Sequence, residues 1–154
     1  MKYNQLDRIV RVTPGESIVA ERTLRADEDY LRDHFPRFPV MPGVMMLESL
    51  HQAAHWLVRV TDEFTHPLVL LRTVKSVKFG DFLAPDQTLR ITAEITKSDG
   101  ETYKIKAAAT KDDRPTVTAR LVLQTTLTGD APEIGTDAAV ARETRRQYER
   151  LFAG

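Results

Sequence analysis

Short runs rich in Val, Ile, Thr, Leu and Tyr alternate with turn residues over most of the chain. Such runs, bounded by Gly, Pro, Asp and Ser, are typical of β-strands. Turn sequences such as Pro14-Gly15 and Ser98-Asp99-Gly100 separate neighbouring runs. The pattern predicts six strands, over residues 8–12, 17–25, 68–79, 88–97, 102–110 and 116–126.

One stretch between the second and third strands has a different pattern. Residues 44–59 are apolar at helical spacing and at most positions between, which predicts a helix buried on all sides. Before it, Pro36, Pro39 and Pro42 predict an extended loop, because each proline lacks a backbone donor and restricts its predecessor. Together with the strands, this helix indicates an α+β fold in which a sheet wraps round one central helix.

The last part of the chain has its own organisation. Residues 129–135 contain Gly, Asp and Pro and are typical of a linker, and a second, amphipathic helix is predicted from Thr136 or Asp137 onwards. We therefore expect a single domain over 1–128, followed by a linker and helical extension over 129–154.

Composition narrows the function classes. The chain has 154 residues, 22 basic and 22 acidic residues, no net charge and no cysteine. The length suits one domain, and the missing cysteines exclude a disulfide scaffold, a thiolate nucleophile and a zinc site built on sulfur. The balanced charge argues against a nucleic-acid partner. Because neither the N-terminus nor any internal stretch has a long apolar run, we expect no membrane association and a cytoplasmic location.

Three residues around the start of the central helix carry candidate chemistry. His34 lies in the proline loop, and histidine is well suited to act as a base near neutral pH. Gly43 begins the helix, where unpaired N–H groups stabilise an oxygen that gains negative charge. Glu48 is the only acidic residue between Pro42 and Val58, and we expect its apolar surroundings to raise its pKa so that it donates a proton. Together these groups suit removal of a proton next to a carbonyl, with loss of a β-substituent.

The run from His34 to Gln52 resembles the motif of the hot-dog-fold β-hydroxyacyl-acyl-carrier-protein dehydratases of bacterial fatty-acid synthesis. In that family, His-Phe-Pro-Gly-x-Pro-x-Met-Pro-Gly-Val precedes a helix that carries the catalytic acid, with a glutamine one turn later. The positions that match in register are His34, Phe35, Pro36, Pro39, Met41, Pro42, Gly43, Glu48 and Gln52. The resemblance extends more weakly over residues 6–126. It implies a hot-dog fold, with an antiparallel six-stranded sheet wrapped round a long central helix, plus a C-terminal helix in this chain.

The resemblance also implies roles for the matching residues. His34 is expected to remove the proton α to the thioester carbonyl, and Glu48 to protonate the departing β-hydroxyl, directly or through water. The Gly43 N–H is expected to polarise the thioester oxygen, and Gln52 to orient the acid. A glutamate at position 48 resembles the simple dehydratases, whereas the branch that also isomerises the double bond carries aspartate there.

Substrate and partners follow from the same resemblance. Phe35, Arg37 and Met41 are expected to bind the substrate, a 3-hydroxyacyl thioester carried by acyl carrier protein on its phosphopantetheine or by CoA. The family forms homodimers with sites at the interface, so we expect at least a homodimer. We expect no metal or other cofactor. The arginines of the C-terminal helix are interpreted as a solvated face, with contact to an acidic carrier as the alternative.

The chain departs from the family at several positions, and other functions stay open. Arg37 replaces a glycine, Gly80-Asp81-Phe82 replaces Arg-Arg-Pro, and His51 stands where alanine is usual. One alternative is an acyl-thioester hydrolase on the same fold, which needs a helix N-terminus and a carboxylate but no histidine. Another is a non-catalytic, carrier-binding subunit of a heteromer. A metal site at His51 and His55 is disfavoured, because the sequence offers no evident third ligand.

Overall fold

The computed structural model describes residues 4–127 and 137–153 and contains every strand and helix that the sequence predicts. The elements are β1 (Arg8–Thr13), β2 (Ser17–Thr23), a 3-10 helix (Asp29–Arg32), α1 (Gly43–Thr61), β3 (Leu68–Phe79), β4 (Thr88–Asp99), β5 (Thr102–Lys111), β6 (Arg114–Thr126) and α2 (Asp137–Ala153). The predicted linker over 129–135 and a cap at Thr136 lie outside the described residues, so the division at residue 128 stays a prediction. Neither described α-helix is long and apolar enough to cross a membrane.

The strands form one antiparallel sheet in the order β1-β2-β4-β5-β6-β3. Three hairpins follow from the turn sequences, and β2 pairs with β4 in a continuous register from Ser17 opposite Glu94 to Thr23 opposite Thr88. Although β2 and β4 are neighbours in the sheet, the chain between them contains the 3-10 helix, the proline loop, α1 and β3. β3 lies at one edge and pairs with β6 alone among the described strands.

The core lies between the sheet and α1. Leu50, Ala53 and Leu57 of the helix are fully buried, and they join a cluster with inward-facing strand residues such as Ile91 and Leu123. Strand β4 alternates exposed and buried positions over its first six residues, so one of its faces meets the helix. Burial of this apolar surface is the main source of stability, roughly 25 cal/mol per Å². The predicted sheet around a central helix is confirmed.

The prediction that α1 is buried on all sides is wrong for the single chain. Val44 in its first turn is 68% exposed, and Met45 and Leu47 are only half-buried. The physical reason is that a single sheet covers one side of the helix and leaves the opposite side of its first turns to solvent. The apolar side chains on that side are therefore free to contact another surface.

The C-terminal helix α2 packs its aromatic side against the main domain. The ring of Tyr148 lies 6.0 Å from that of Trp56 and 5.6 Å from that of Phe64, measured between centroids. Arg145 lies over the Phe64 ring, with its guanidinium carbon 4.5 Å from the centroid. The predicted amphipathic helix is present, and one of its arginines contacts an aromatic ring instead of only solvent.

Gly80 is a position at which we predict a loss of stability. Its N–H donates to the Thr116 carbonyl at 2.9 Å, and a Cβ added at Gly80 would lie 2.6 Å from the backbone oxygen of Pro115. Because that neighbour is backbone, Gly80→Ala forces the end of β3 away from β6, and we expect the free energy of unfolding to fall by about 1–3 kcal/mol.

Thermal unfolding followed by circular dichroism measures this loss, as a lower melting temperature for Gly80→Ala. The control is Lys97→Ala, which changes an exposed side chain on β4 and is expected to stay within about 0.5 kcal/mol of the wild type. Equal melting temperatures for Gly80→Ala and the wild type would show that the strand end adjusts freely.

Candidate active site

His34 lies in a loop that is closed by backbone hydrogen bonds. The N–H of Phe35 donates to the carbonyl of Phe38 at 3.2 Å, and the N–H of Phe38 donates back to Phe35 at 3.1 Å. The N–H of Val40 donates to the His34 carbonyl at 3.0 Å, and that of Met41 to the carbonyl of Leu83 at 2.9 Å. The loop predicted from the prolines is therefore held in one shape between the 3-10 helix and α1.

The hydrogen bond of the His34 ring determines which nitrogen is available for chemistry. Nδ1 lies 3.1 Å from the carbonyl oxygen of Val40. A carbonyl oxygen only accepts, so Nδ1 carries the hydrogen and donates it. In the neutral ring, Nε2 then keeps its lone pair, as a general base requires. The ring also stacks on Phe35, with centroids 4.3 Å apart.

Gly43 begins α1 directly after Pro42 and lies beneath the ring of Phe79. A Cβ added at Gly43 would lie 2.8 Å from Cε1 of Phe79. The first N–H groups of a helix have no acceptor within the helix, and no acidic side chain in the first turn of α1 neutralises its positive end. This end of α1 is suited to stabilise an oxygen that gains negative charge.

Glu48 projects from the second turn of α1 and is held by two donors. Nε2 of Gln52 lies 3.2 Å from Oε1, and Nδ1 of His51 lies 3.4 Å from Oε2. The hydrogen bond from His51 lowers the pKa of Glu48 below its ordinary value, and the bond from Gln52 adds to this, against the opposing effect of burial. The prediction of a raised pKa is therefore wrong for the single chain, because 42% of the side chain is exposed and both oxygens face N–H groups.

The amide of Gln52 is oriented by the N-terminal segment. Its Oε1 accepts the backbone N–H of Gln5 at 2.7 Å, which turns its Nε2 towards Glu48. The side chain of Gln5 accepts from Nε of Arg22 at 3.3 Å, and Arg22 forms a buried ion pair with Glu28. The predicted orienting role of Gln52 is not tested directly, but the geometry is compatible with it.

Sequence reasoning missed Gln5 and Arg22 because they lie far from the motif along the chain. One signal was present for Arg22, which continues the alternation of Ile18 and Ala20 in β2 and therefore falls on the buried face of the strand. A buried arginine is rare unless it is paired, so its position indicates a partner inside the fold. For Gln5 the sequence contains no such signal.

The structure places the three predicted substrate-binding residues in different surroundings. Phe35 and Arg37 are exposed on the loop, whereas Met41 is 1% exposed and belongs to the hydrophobic core. Phe38 and Phe82 lie next to each other, with ring centroids 5.9 Å apart, and both are exposed. Exposed aromatic side chains thus lie on the loop before α1 and on the segment after β3, and the three substrate-binding roles stay predictions.

Within the described part of the chain, no hydrogen bond or ion pair joins His34 to Glu48. His51 and His55 are neighbours on α1, with ring centroids 5.5 Å apart. No group of three or more His, Asp or Glu side chains among residues 4–127 and 137–153 is arranged to hold a metal ion. The groups that the described residues bring to this site are the imidazole of His34, the carboxyl group of Glu48 and the backbone N–H groups at the start of α1.

Comparisons with known proteins agree with this chemistry. A family model described as a FabA-like domain matches residues 1–120. A 3-hydroxyacyl-(acyl-carrier-protein) dehydratase FabZ from Lactobacillus helveticus is 33% identical over 116 residues, which cover 75% of this chain and 78% of that protein. The enzyme of the same name from Ligilactobacillus salivarius is 34% identical over 116 residues, with coverages of 75% and 83%.

Solved structures share the fold at lower identity. The dehydratase heterocomplex ApeI:P from Xenorhabdus doucetiae matches with a TM-score of 0.70 and 16% identity, over 86% of this chain and 90% of that chain. A hypothetical thioesterase from Streptococcus pneumoniae, solved with coenzyme A, matches with a TM-score of 0.63 and 13% identity, with coverages of 77% and 84%. These matches confirm the predicted fold and, because the identities are low, carry no conclusion about the reaction.

Proposed function

The chain belongs to the FabA-like family, and from this we propose that it dehydrates 3-hydroxyacyl thioesters to trans-2-enoyl thioesters. The observation that carries the proposal is the tautomer of His34, whose Nδ1–H is held by Val40 so that Nε2 is free to act as base. This base is followed in sequence by the open N-terminus of α1 and by Glu48. The resemblance predicted from the sequence is confirmed by the family match.

The proposed reaction transfers two protons and breaks one carbon–oxygen bond. Nε2 of His34 takes the proton from the carbon α to the thioester, and negative charge develops on the thioester oxygen beside the Gly43 N–H. The electron pair then forms the double bond as the β-hydroxyl leaves with a proton from Glu48, and water is released. In hydration the same groups work in reverse, with Glu48 as carboxylate and His34 as imidazolium.

The lowered pKa of Glu48 in the single chain makes its enclosure part of the mechanism. A half-buried carboxylate that accepts two hydrogen bonds is ionised near neutral pH, but dehydration needs its protonated form. Covering Glu48 with an acyl chain and a second protein surface removes water from the carboxylate and raises its pKa. The exposed apolar side of the first turns of α1, with Val44, provides a place for such a surface.

We propose that the protein surface that covers Glu48 belongs to a second copy of the chain. Strand β3 is twelve residues long, lies at the edge of the sheet and exposes Leu70, Leu71 and Val74, each to about two fifths. A long, apolar edge strand is a template for pairing with another strand, and soluble proteins rarely leave one uncovered. Pairing of two copies about a twofold axis completes each site with His34 from one chain and Glu48 from its partner.

The acyl group is proposed to arrive on acyl carrier protein, as the names of the related enzymes say of those proteins. Arg37 is exposed three residues after His34 and provides a cation for the phosphopantetheine phosphate or for an acidic carrier surface. A cytoplasmic location remains our expectation for this reaction.

Hydration of crotonyl-CoA or of a crotonyl carrier protein tests the proposed function. We expect the purified wild-type protein to consume the enoyl absorbance without releasing free thiol. Release of thiol with the enoyl group unchanged would instead show the hydrolase alternative. Tight binding of the carrier with neither change would show a non-catalytic subunit, and either result rejects the dehydratase proposal.

A further inference from the structure

One face of α1 carries a cluster of four polar side chains, two of which are outside the family motif. Glu48, His51, Gln52 and His55 lie three, four and seven residues apart, so their side chains are neighbours on the same side of the helix. Of these, Glu48 and Gln52 already have roles in the proposed reaction. His51 replaces the alanine that is usual in the family, and it contacts the acid itself.

The contact between His51 and Glu48 gives the carboxylate a hydrogen-bond donor at each of its two oxygens. Gln52 binds Oε1, and Nδ1 of His51 lies 3.4 Å from Oε2. A carboxylate only accepts hydrogen bonds, so Nδ1 carries the hydrogen. With a donor on each oxygen, the carboxylate has a fixed plane and cannot rotate freely about its last bond.

The surroundings of His51 favour this one arrangement of the ring. Its other nitrogen, Nε2, is buried and has no hydrogen-bond partner among the described residues. A buried N–H without an acceptor costs free energy, so the tautomer with its hydrogen on Nδ1 is preferred over the tautomer with its hydrogen on Nε2. The ring therefore presents its one donor to Glu48.

The neighbouring His55 does not compete for this contact. Its Nε2 lies 2.9 Å from the carbonyl of Val69 and donates to it, which fixes the ring against β3. Burial, followed by the charge of Arg59, lowers the pKa of His55 to about 3, so it is neutral in the working pH range. His51 thus lies between a neutral, fixed ring and the carboxylate.

We propose that His51 is a positioning residue of this enzyme, whose Nδ1–H holds Oε2 of Glu48 in the orientation needed for proton transfer. The kinetic part of this inference rests on the proposed function, whereas the contact itself does not. Misplacing an acid by about 1 Å costs up to 100-fold in rate, because proton transfer depends on the geometry of the reacting groups.

Three substitutions of His51 separate the donor from the size of the side chain. In His51→Asn, the amide nitrogen is bonded to Cγ, as Nδ1 is, and it therefore keeps a donor near Glu48. In His51→Gln, the donor lies one bond farther out, near the place of Nε2. His51→Ala removes the donor and leaves the residue that is usual in the family.

We expect kcat for hydration to fall about tenfold in His51→Ala and His51→Gln, with KM nearly unchanged, and to be restored largely by His51→Asn. Carbon-13 NMR of the glutamate carboxyl groups gives a readout that does not need activity. The pKa of Glu48 is expected to rise in His51→Ala and His51→Gln and to stay near the wild-type value in His51→Asn.

The results distinguish failure of this inference from failure of the proposed function. If the wild type is inactive but the pKa of Glu48 follows the expected order, the contact is real and the dehydratase assignment is wrong. If His51→Asn and His51→Gln behave alike, or if His51→Ala leaves both kcat and the pKa of Glu48 unchanged, the positioning role is overturned. Far-ultraviolet circular dichroism of each variant checks that α1 is intact.

Discussion

Replacing His34 by alanine is expected to lower the rate of enoyl hydration by about two to four orders of magnitude, because it removes the group that exchanges the proton at the α carbon, as base in dehydration and as acid in hydration. The sharper variant is His34→Asn, whose side-chain N–H replaces Nδ1 as donor to the Val40 carbonyl. It preserves the hydrogen bond that shapes the loop but has no basic nitrogen. We expect it to be as inactive as His34→Ala and to melt closer to the wild type.

The control for this experiment is His66→Asn. His66 contacts Asp62 at the end of α1, away from the proline loop, and takes no part in the proposed reaction. Its activity is expected to match the wild type, as measured by the loss of enoyl absorbance. A wild-type rate of hydration in His34→Asn would contradict the assignment of His34 to proton transfer at the α carbon.

Mixing two inactive variants is expected to restore activity, because in the proposed dimer each site takes its base and its acid from different chains. In a hybrid of His34→Ala and Glu48→Gln chains, one site has lost both groups and the other retains both. A purified hybrid dimer should therefore show about half of the wild-type activity. Each variant assembled only with itself has no complete site and is expected to stay inactive.

Two affinity tags on the two chains allow the hybrid to be isolated, and hydration of crotonyl-CoA measures its activity. If both groups of a site came from one chain, each chain in the hybrid would lack one of them and no activity would return. Sedimentation of the wild type gives an independent check, since a monomer at micromolar concentration is incompatible with a shared site.

Much of the fold was predictable from local sequence. Turn residues and β-branched runs predicted all six strands, and the structure shifts the observed strand ends by at most two residues. Two strands are extended by two residues: β6 begins at Arg114, and β4 continues to Asp99 because it pairs with β5 up to Thr102. That pairing depends on the partner strand, so the alternation within β4 alone could not predict it.

For the candidate site, the sequence predicted the identity of the main residues but not the pKa or the hydrogen-bond partners of each. The spacing of His34, Gly43 and Glu48 was sufficient to name them, because a helix start and a constrained loop are local features. The pKa of Glu48 was predicted in the wrong direction, since the hydrogen bonds from His51 and Gln52 outweigh a burial that stays partial on this side of α1. The hydrogen bond from the Gln5 N–H to Gln52 joins residues 47 positions apart, so no local sequence pattern could predict it.

The sequence by itself determined the elements, the central helix and the residue types at the site, because these depend on periodicity, turn chemistry and spacing over a few residues. Only the tertiary structure decided which nitrogen of His34 is free, which donors face Glu48 and which side of α1 stays open. The first two depend on the exact geometry of short contacts, with Val40 six residues after His34 and with His51 and Gln52 three and four residues after Glu48. The third depends on the strands that cover α1, which are segments distant from it in sequence. Hydrogen bonding and desolvation, the physical effects in each case, depend on where the folded chain brings these groups.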